Sequence, residues 1–140
     1  MARQTFTSGQ VLTAAQMTTL QASVWSDDVN TQTGTSYTLV LTDAGKQVTL
    51  SNASAVTLTV PANASVAFDV GVRITFINLG AGVVTLTPAG SVTINASTGD
   101  LNIPQYGVGQ LVKTATNTWV VQYSVDSDDD QVILASQIFG

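Results

Sequence analysis

The sequence contains no cysteine and no histidine, and all nine of its acidic residues are aspartates. Without cysteine the chain cannot form disulfides or thiolate metal sites. Of the three side chains most used for general acid–base catalysis, aspartate alone is present. The sequence also lacks a nucleophile elbow, an HExxH motif, a phosphate-binding loop and a GxGxxG pattern. We therefore expect no enzymatic activity, no metal and no cofactor.

Charge is scarce as well: charged residues make up 9% of the chain, and its net charge is −5. The four cations, Arg3, Lys46, Arg73 and Lys113, are too scattered to form the basic stripe that nucleic-acid binding requires. An anionic membrane would repel the chain, and no apolar run approaches the ~20 residues that cross a bilayer. The N-terminus lacks the apolar region of a signal peptide. We expect no nucleic-acid or membrane partner, and synthesis in the cytoplasm.

β-Branched residues dominate what is present, with 21 Thr and 19 Val. Between residues 37 and 123, short runs alternate apolar and polar residues and are separated by turn residues. Gly80 and Gly82 suit a tight hairpin. Asn-Ala-Ser recurs at residues 52, 63 and 95 without a fixed period, so no solenoid repeat is predicted. The pattern predicts an all-β fold, an antiparallel β-sandwich or barrel of about eight strands.

Several predicted strands carry apolar residues on both faces, among them Val40, Ile77, Val83 and Val120. Two explanations stay open. Either both faces are covered by other sheets of the chain, or the outer face contacts a neighbouring subunit.

Residues 1–36 form a predicted N-terminal arm with a short helix. Thr13 and Gln16 have the spacing of a capping box, which predicts a helix beginning at Ala14. Leu12 and Met17 stand at the positions of a hydrophobic staple. The apolar stripe of this helix is a candidate docking surface, formed with Leu12 by Met17, Leu20, Val24 and Trp25. The stripe packs on the chain's own sheet, or it anchors the protein to a partner or to sister subunits.

Residues 124–140 form a predicted C-terminal arm that begins with an acidic linker. Asp126, Asp128 and Asp130 match the first three positions of a calcium loop, but Gln131 and Gln137 replace its required Gly and Glu. We therefore interpret this stretch as a solvated linker. The apolar run after it is a second candidate docking surface, with the residues Val132, Ile133, Leu134, Ile138 and Phe139. Its binding site is the parent sheet, a neighbouring subunit or another protein.

The predicted β domain, residues 37–123, carries a set of short motifs. They are a D-x-G-K turn at Asp43–Lys46, Asn52, Val60-Pro61, Phe68–Gly71, the G-x-G-x-V-T of Gly80–Thr85, and Thr116–Trp119. With the opening FTSGQVLTAAQM, these motifs resemble a β module of structural proteins of tailed bacteriophages. The resemblance covers about residues 5–123.

This resemblance implies a virion protein that forms an oligomer, expected to be a homotrimer. The first expectation is a capsid decoration protein that binds the outer capsid surface, with the major capsid protein or another virion protein as its partner. The alternative is a tail or head fibre or tip protein involved in host attachment. A third class, a β-sandwich enzyme or lectin, would need a concave site that the sequence does not indicate.

Overall fold

Ten short β-strands are the main regular elements of the described chain. The computed structural model describes residues 7–11, 13–18 and 28–124. A single turn of 3₁₀ helix spans Leu41–Asp43. The strands are β1 (Val29–Gln32), β2 (Ser36–Thr38), β3 (Gln47–Leu50), β4 (Val56–Val60), β5 (Arg73–Asn78), β6 (Val84–Pro88), β7 (Thr93–Ala96), β8 (Asn102–Ile103), β9 (Val108–Ala115) and β10 (Thr118–Ser124).

The strands form two sheets, and the chain alternates between them. Sheet A has six strands in the order β1-β3-β5-β9-β10-β7, and sheet B has four in the order β2-β4-β6-β8. The pairs β1–β3 and β3–β5 in sheet A, and β2–β4 and β4–β6 in sheet B, are parallel. Each passage through one A strand and one B strand is therefore one coil. The fold is a β-solenoid of about three coils.

The predicted antiparallel β-sandwich or barrel is therefore wrong. Gly80 and Gly82 do not form a hairpin; they lie at a corner where the chain passes from sheet A to sheet B. Antiparallel pairing is confined, within the described residues, to β5–β9, β9–β10 and β6–β8. The prediction failed because a parallel sheet with one buried face alternates apolar and polar residues just as an antiparallel one does.

The hydrophobic core fills the space between the two sheets. Inward residues of neighbouring strands lie in register, so that Val48 faces Phe76 in sheet A and Leu58 faces Leu86 in sheet B. Trp119 of β10 is the largest fully buried side chain, and its ring meets that of Phe68 edge-on at 5.5 Å between centroids. Burial of such side chains supplies about 1.5–3 kcal/mol each.

Consecutive coils stack closely at the corner between sheets A and B. A Cβ at Gly80 would lie 2.2 Å from the backbone of Asn52, and one at Gly82 would lie 1.9 Å from the carbonyl oxygen of Ser54. The Gly82 N–H also donates to the Asn52 carbonyl at 2.9 Å. Glycine is required here because the backbone of one coil rests directly on that of the coil before it.

A buried asparagine holds the same corner to the next strand of sheet B. Asn78 is fully buried, and its side-chain amide donates to the carbonyls of Gly82 (2.8 Å) and Ile103 (3.0 Å). Its side-chain oxygen accepts a hydrogen bond from Gly80 N–H at 3.1 Å. One side chain therefore bonds to three backbone groups, two at the corner and one in β8.

The hairpin of β9 and β10 completes sheet A at the C-terminal end. β9 pairs antiparallel with β5, and β10 pairs with both β9 and β7. The hairpin thus takes the place beside β5 where the next coil would otherwise add a parallel strand.

The predicted helix start is confirmed in the described part of the N-terminal segment, where residues 14–18 are helical. The Gln16 N–H donates to Thr13 Oγ1 at 3.2 Å, and the Thr13 N–H donates to Gln16 Oε1 at 2.9 Å. These two bonds form the capping box expected from the sequence. Residues 29–32, which the sequence placed in the N-terminal arm, form strand β1 of the solenoid.

Candidate interaction surfaces

Metal-ligating side chains do not gather into a cluster in the part of the chain that the structure describes. Within residues 7–11, 13–18 and 28–124, no group of three or more metal-ligating Asp, Glu, His or Cys side chains lies together. In the same ranges, no helix is long and apolar enough to cross a bilayer. The candidate sites are therefore two internal polar clusters and the outer faces of the two sheets.

The first polar cluster surrounds Asp43, whose side chain is 1% exposed. Its carboxylate accepts hydrogen bonds from Asn30 Nδ2 (2.7 Å), Tyr37 Oη (2.8 Å) and the Val40 N–H (2.9 Å). Asn30 belongs to β1 and Tyr37 to β2, so the carboxylate joins both strands of the first coil to the turn that follows them. Three donors compensate the buried charge, and the cluster stabilises the arrangement of β1, β2 and the turn.

The pKa of Tyr37 predicts how this cluster responds to alkali. Burial, followed by the hydrogen bond to Asp43 and the charge of its carboxylate, raises the pKa of Tyr37 to about 12. Unfolding returns it to its ordinary value of 10. Between pH 10 and pH 12 the unfolded chain therefore loses the proton first, so stability present below pH 10 is lost as pH rises.

Thermal unfolding of wild-type and Tyr37→Phe protein from pH 9 to pH 12 tests this expectation. The variant has no phenol at this position, so its midpoint should fall less steeply with pH than that of wild type. Every other ionisable group is present in both proteins, so its contribution cancels in the difference. Parallel curves would show that Tyr37 keeps an ordinary pKa.

The second polar cluster surrounds Lys113 of β9, which is 2% exposed. Its ammonium donates to Asn63 Oδ1 at 2.5 Å and to the Phe68 carbonyl at 2.6 Å, and lies 5.9 Å from the ring centroid of Trp119. Asn63 in turn donates its backbone N–H to Asn117 Oδ1 at 2.9 Å. Carbonyl dipoles and an aromatic face compensate the buried cation. The cluster ties the loop between β4 and β5 to the β9–β10 hairpin.

The outer face of sheet B is uniformly polar. Neighbouring strands place Ser36, Thr57, Thr85 and Asn102 in one row, and a second row contains only threonines. Thr85 Oγ1 donates to Asn102 Oδ1 at 2.9 Å. In this sequence, a strand surface that faces solvent is therefore composed of Ser, Thr and Asn.

The outer face of sheet A is different, because pairs of apolar residues lie among its polar residues. One row across three strands is formed by Thr75, Gln110 and Gln122. Apolar residues lie on either side of this row: Ile77 and Val108 on one side, and Val112 and Val120 on the other. Val108 is 43% exposed and Val120 41%. A shallow groove of about 350 Å³ crosses this face beside the end of β10.

The docking residues predicted from the sequence fall almost entirely outside the described ranges. Leu12, Leu20, Val24 and Trp25 lie there, as do the C-terminal residues Val132, Ile133, Leu134, Ile138 and Phe139. Met17 is described, lies in the helical residues 14–18 and is 47% exposed. The sequence did not single out Val108 and Val112, although the apolar residues noted on both faces of the strands included their neighbours Ile77 and Val120.

In comparisons with known proteins, the chain matches no family model, no curated protein and no solved structure.

Proposed function

We propose that this protein is a structural component of a bacteriophage virion, a capsid decoration protein that binds the outer capsid surface as an oligomer. The observation that carries the proposal is the resemblance of its motifs to the β module of tailed-phage structural proteins. Those motifs lie at positions that shape the fold. Asp43 locks the first coil, and Gly80 and Gly82 allow the coils to stack.

The chemistry of the surface supports a role in assembly over a role in catalysis. The described residues contain no metal-ligating cluster, and the outer face of sheet A exposes valines beside glutamines. Exposed apolar residues grouped on one face are typical of surfaces that are covered by a partner. Few charges compete with such contacts, since charged residues are 9% of the chain.

A fibre or tip protein is the second candidate, favoured by the form of the solenoid. β1 and β2 are edge strands on the N-terminal side of their sheets. Edge strands of a coil can accept another strand, so this end of the solenoid suits attachment to a shaft.

The copy number of the chain in purified particles separates these candidates. We expect quantitative mass spectrometry to find as many copies as major capsid protein, or a simple symmetric fraction of that number. Purified full-length chain should then bind to particles that have been made without it, and particles already carrying it serve as the saturated control. A few copies per particle would favour the fibre or tip, and absence from the particle would contradict both proposals.

A further inference from the structure

The two outer faces of the solenoid have the same strand geometry but different chemistry. Sheet B presents Ser, Thr and Asn outward, whereas sheet A presents Ile77, Val108, Val112 and Val120 in addition to polar residues. We propose that the outer face of sheet A is the surface through which copies of this chain associate with one another. This inference rests on the proposed function, in which the protein assembles as an oligomer.

The charge distribution indicates that a second copy covers this face. The chain carries a net charge of −5, so two copies repel each other wherever their aspartates meet. In the described chain, the strands of sheet A contribute no aspartate to this face, and its one charged side chain is Arg73 at the start of β5. Arg73 forms no ion pair with any residue of the described chain. Copies that meet through this face therefore avoid the repulsion between their acidic loops.

The side chains of this face are also complementary to themselves. The side-chain amides of Gln110 and Gln122 each contain donors and acceptors, so the same row on another copy can satisfy them. The flanking pairs Ile77–Val108 and Val112–Val120 give each copy two apolar pairs to bury, and Arg73 lies beside Val112 in register. The polar row between these apolar pairs sets the register in which the copies meet.

The size of the face predicts how strong this association is. Six strands about 4.8 Å apart and roughly 17 Å long present about 400 Å² of projected area. A standard stable interface buries about 800 Å² per partner. The accessible area of such a face exceeds its projection, so the sheet A contact is close to or below this standard size, and we expect association that depends on protein concentration.

Paired aspartate substitutions on the two faces test the proposal. Val112→Asp with Val120→Asp places two carboxylates on adjacent strands of the sheet A face. Thr57→Asp with Thr85→Asp does the same on the sheet B face, since these threonines are also register partners. Sedimentation velocity of the full-length chain over a range of concentrations should show wild type and the sheet B variant associating alike. The sheet A variant should remain monomeric, with an association constant at least 100-fold lower.

Urea unfolding of both variants controls for loss of the fold. A folded sheet A variant that still associates would overturn the proposal, as would a wild-type chain that is monomeric at every concentration. Equal loss of association in both variants would also overturn it, because the effect would then come from added charge alone.

This face could be covered by a second copy or by the chain's own C-terminal segment. Single cysteines distinguish these two cases. The chain has no native cysteine, so Gln122→Cys on sheet A and Thr57→Cys on sheet B are unique probes. We expect maleimide labelling at position 122 to slow as concentration rises, and oxidation to form disulfide-linked pairs there. Position 57 should label quickly at every concentration. The proposal would be overturned if position 122 were protected from labelling equally at every protein concentration, and if deletion of residues 125–140 removed that protection. These measurements use the purified chain alone, so they stand whether or not it is found in the virion.

Discussion

Replacement of Gly82 by alanine is expected to lower the free energy of unfolding by about 3 kcal/mol or more. A Cβ at this position would lie 1.9 Å from the Ser54 carbonyl oxygen and 2.3 Å from its carbon. Overpacking in a core usually costs about 1–3 kcal/mol because flexible side chains move aside. Here the obstacle is backbone, so two coils must separate at their corner and core contacts are lost as well.

Urea unfolding monitored by far-UV circular dichroism measures this loss. Gly34→Ala is the matched control, since the nearest atom to its Cβ would be 3.7 Å away and its φ is not positive. That control should change stability by less than ~0.5 kcal/mol, in the range of ordinary surface substitutions. Equal stability of the Gly82→Ala and Gly34→Ala variants would contradict the close stacking of the coils.

The second large effect is expected at Asn78, where aspartate would keep the shape of the side chain but reverse its hydrogen bonding. The Asn78 amide nitrogen donates to the carbonyls of Gly82 and Ile103. In Asn78→Asp, an acceptor would face both carbonyls in a fully buried position, and the bonded partners of this side chain, two carbonyls and the Gly80 N–H, include no cation. Leaving a buried charge uncompensated costs about 3–5 kcal/mol. We expect a partly or wholly unfolded protein at pH 7.

Differential scanning calorimetry of Asn78→Asp against Asn95→Asp checks this expectation. Asn95 is exposed, and within the described chain its side chain makes one long hydrogen bond, 3.5 Å from its Nδ2 to the Trp119 carbonyl. Its replacement should shift the midpoint little. Recovery of Asn78→Asp stability at acidic pH, where the carboxyl is protonated and can donate, would support the argument. A variant as stable as wild type at pH 7 would contradict it.

Local features of the fold were predictable from the sequence because short-range contacts determine them. The capping box of Thr13 and Gln16 forms as its spacing indicates. The turn at Asn117 between two alternating runs is the hairpin of β9 and β10. In both cases the interacting residues lie close together in the chain.

The solenoid was not predicted, although one repeat is visible once the register is known. Val56–Thr59 and Val84–Thr87 have the same sequence, V-T-L-T, and pair residue for residue at an offset of 28. In the first coil the offset is smaller: Ser36 pairs with Thr57, 21 residues later, and Val29 pairs with Gln47, 18 residues later. Corner loops of unequal length therefore conceal the period.

The candidate surface was partly predictable. Apolar residues on both faces of a strand indicated an outer contact, and Ile77 and Val120 are members of it. Which strands share that face depends on long-range pairing, because β9 and β10 insert beside β5. The burial of Lys113 depends on the same insertion, and no local pattern distinguishes it from an exposed lysine.

The late insertion of the β9–β10 hairpin has a consequence for synthesis on the ribosome. Each of β3 to β6 pairs with a strand already made, whereas β7 has β10 as its strand partner in the described chain. The free edge of β5 is likewise unpaired until β9 emerges, about 30 residues later, which takes roughly 2–6 seconds at 5–20 residues per second. An open parallel edge is a template for pairing with other nascent chains. Production of this protein at high yield should therefore be sensitive to translation speed between β6 and β9, where slowing prolongs the exposure of that edge.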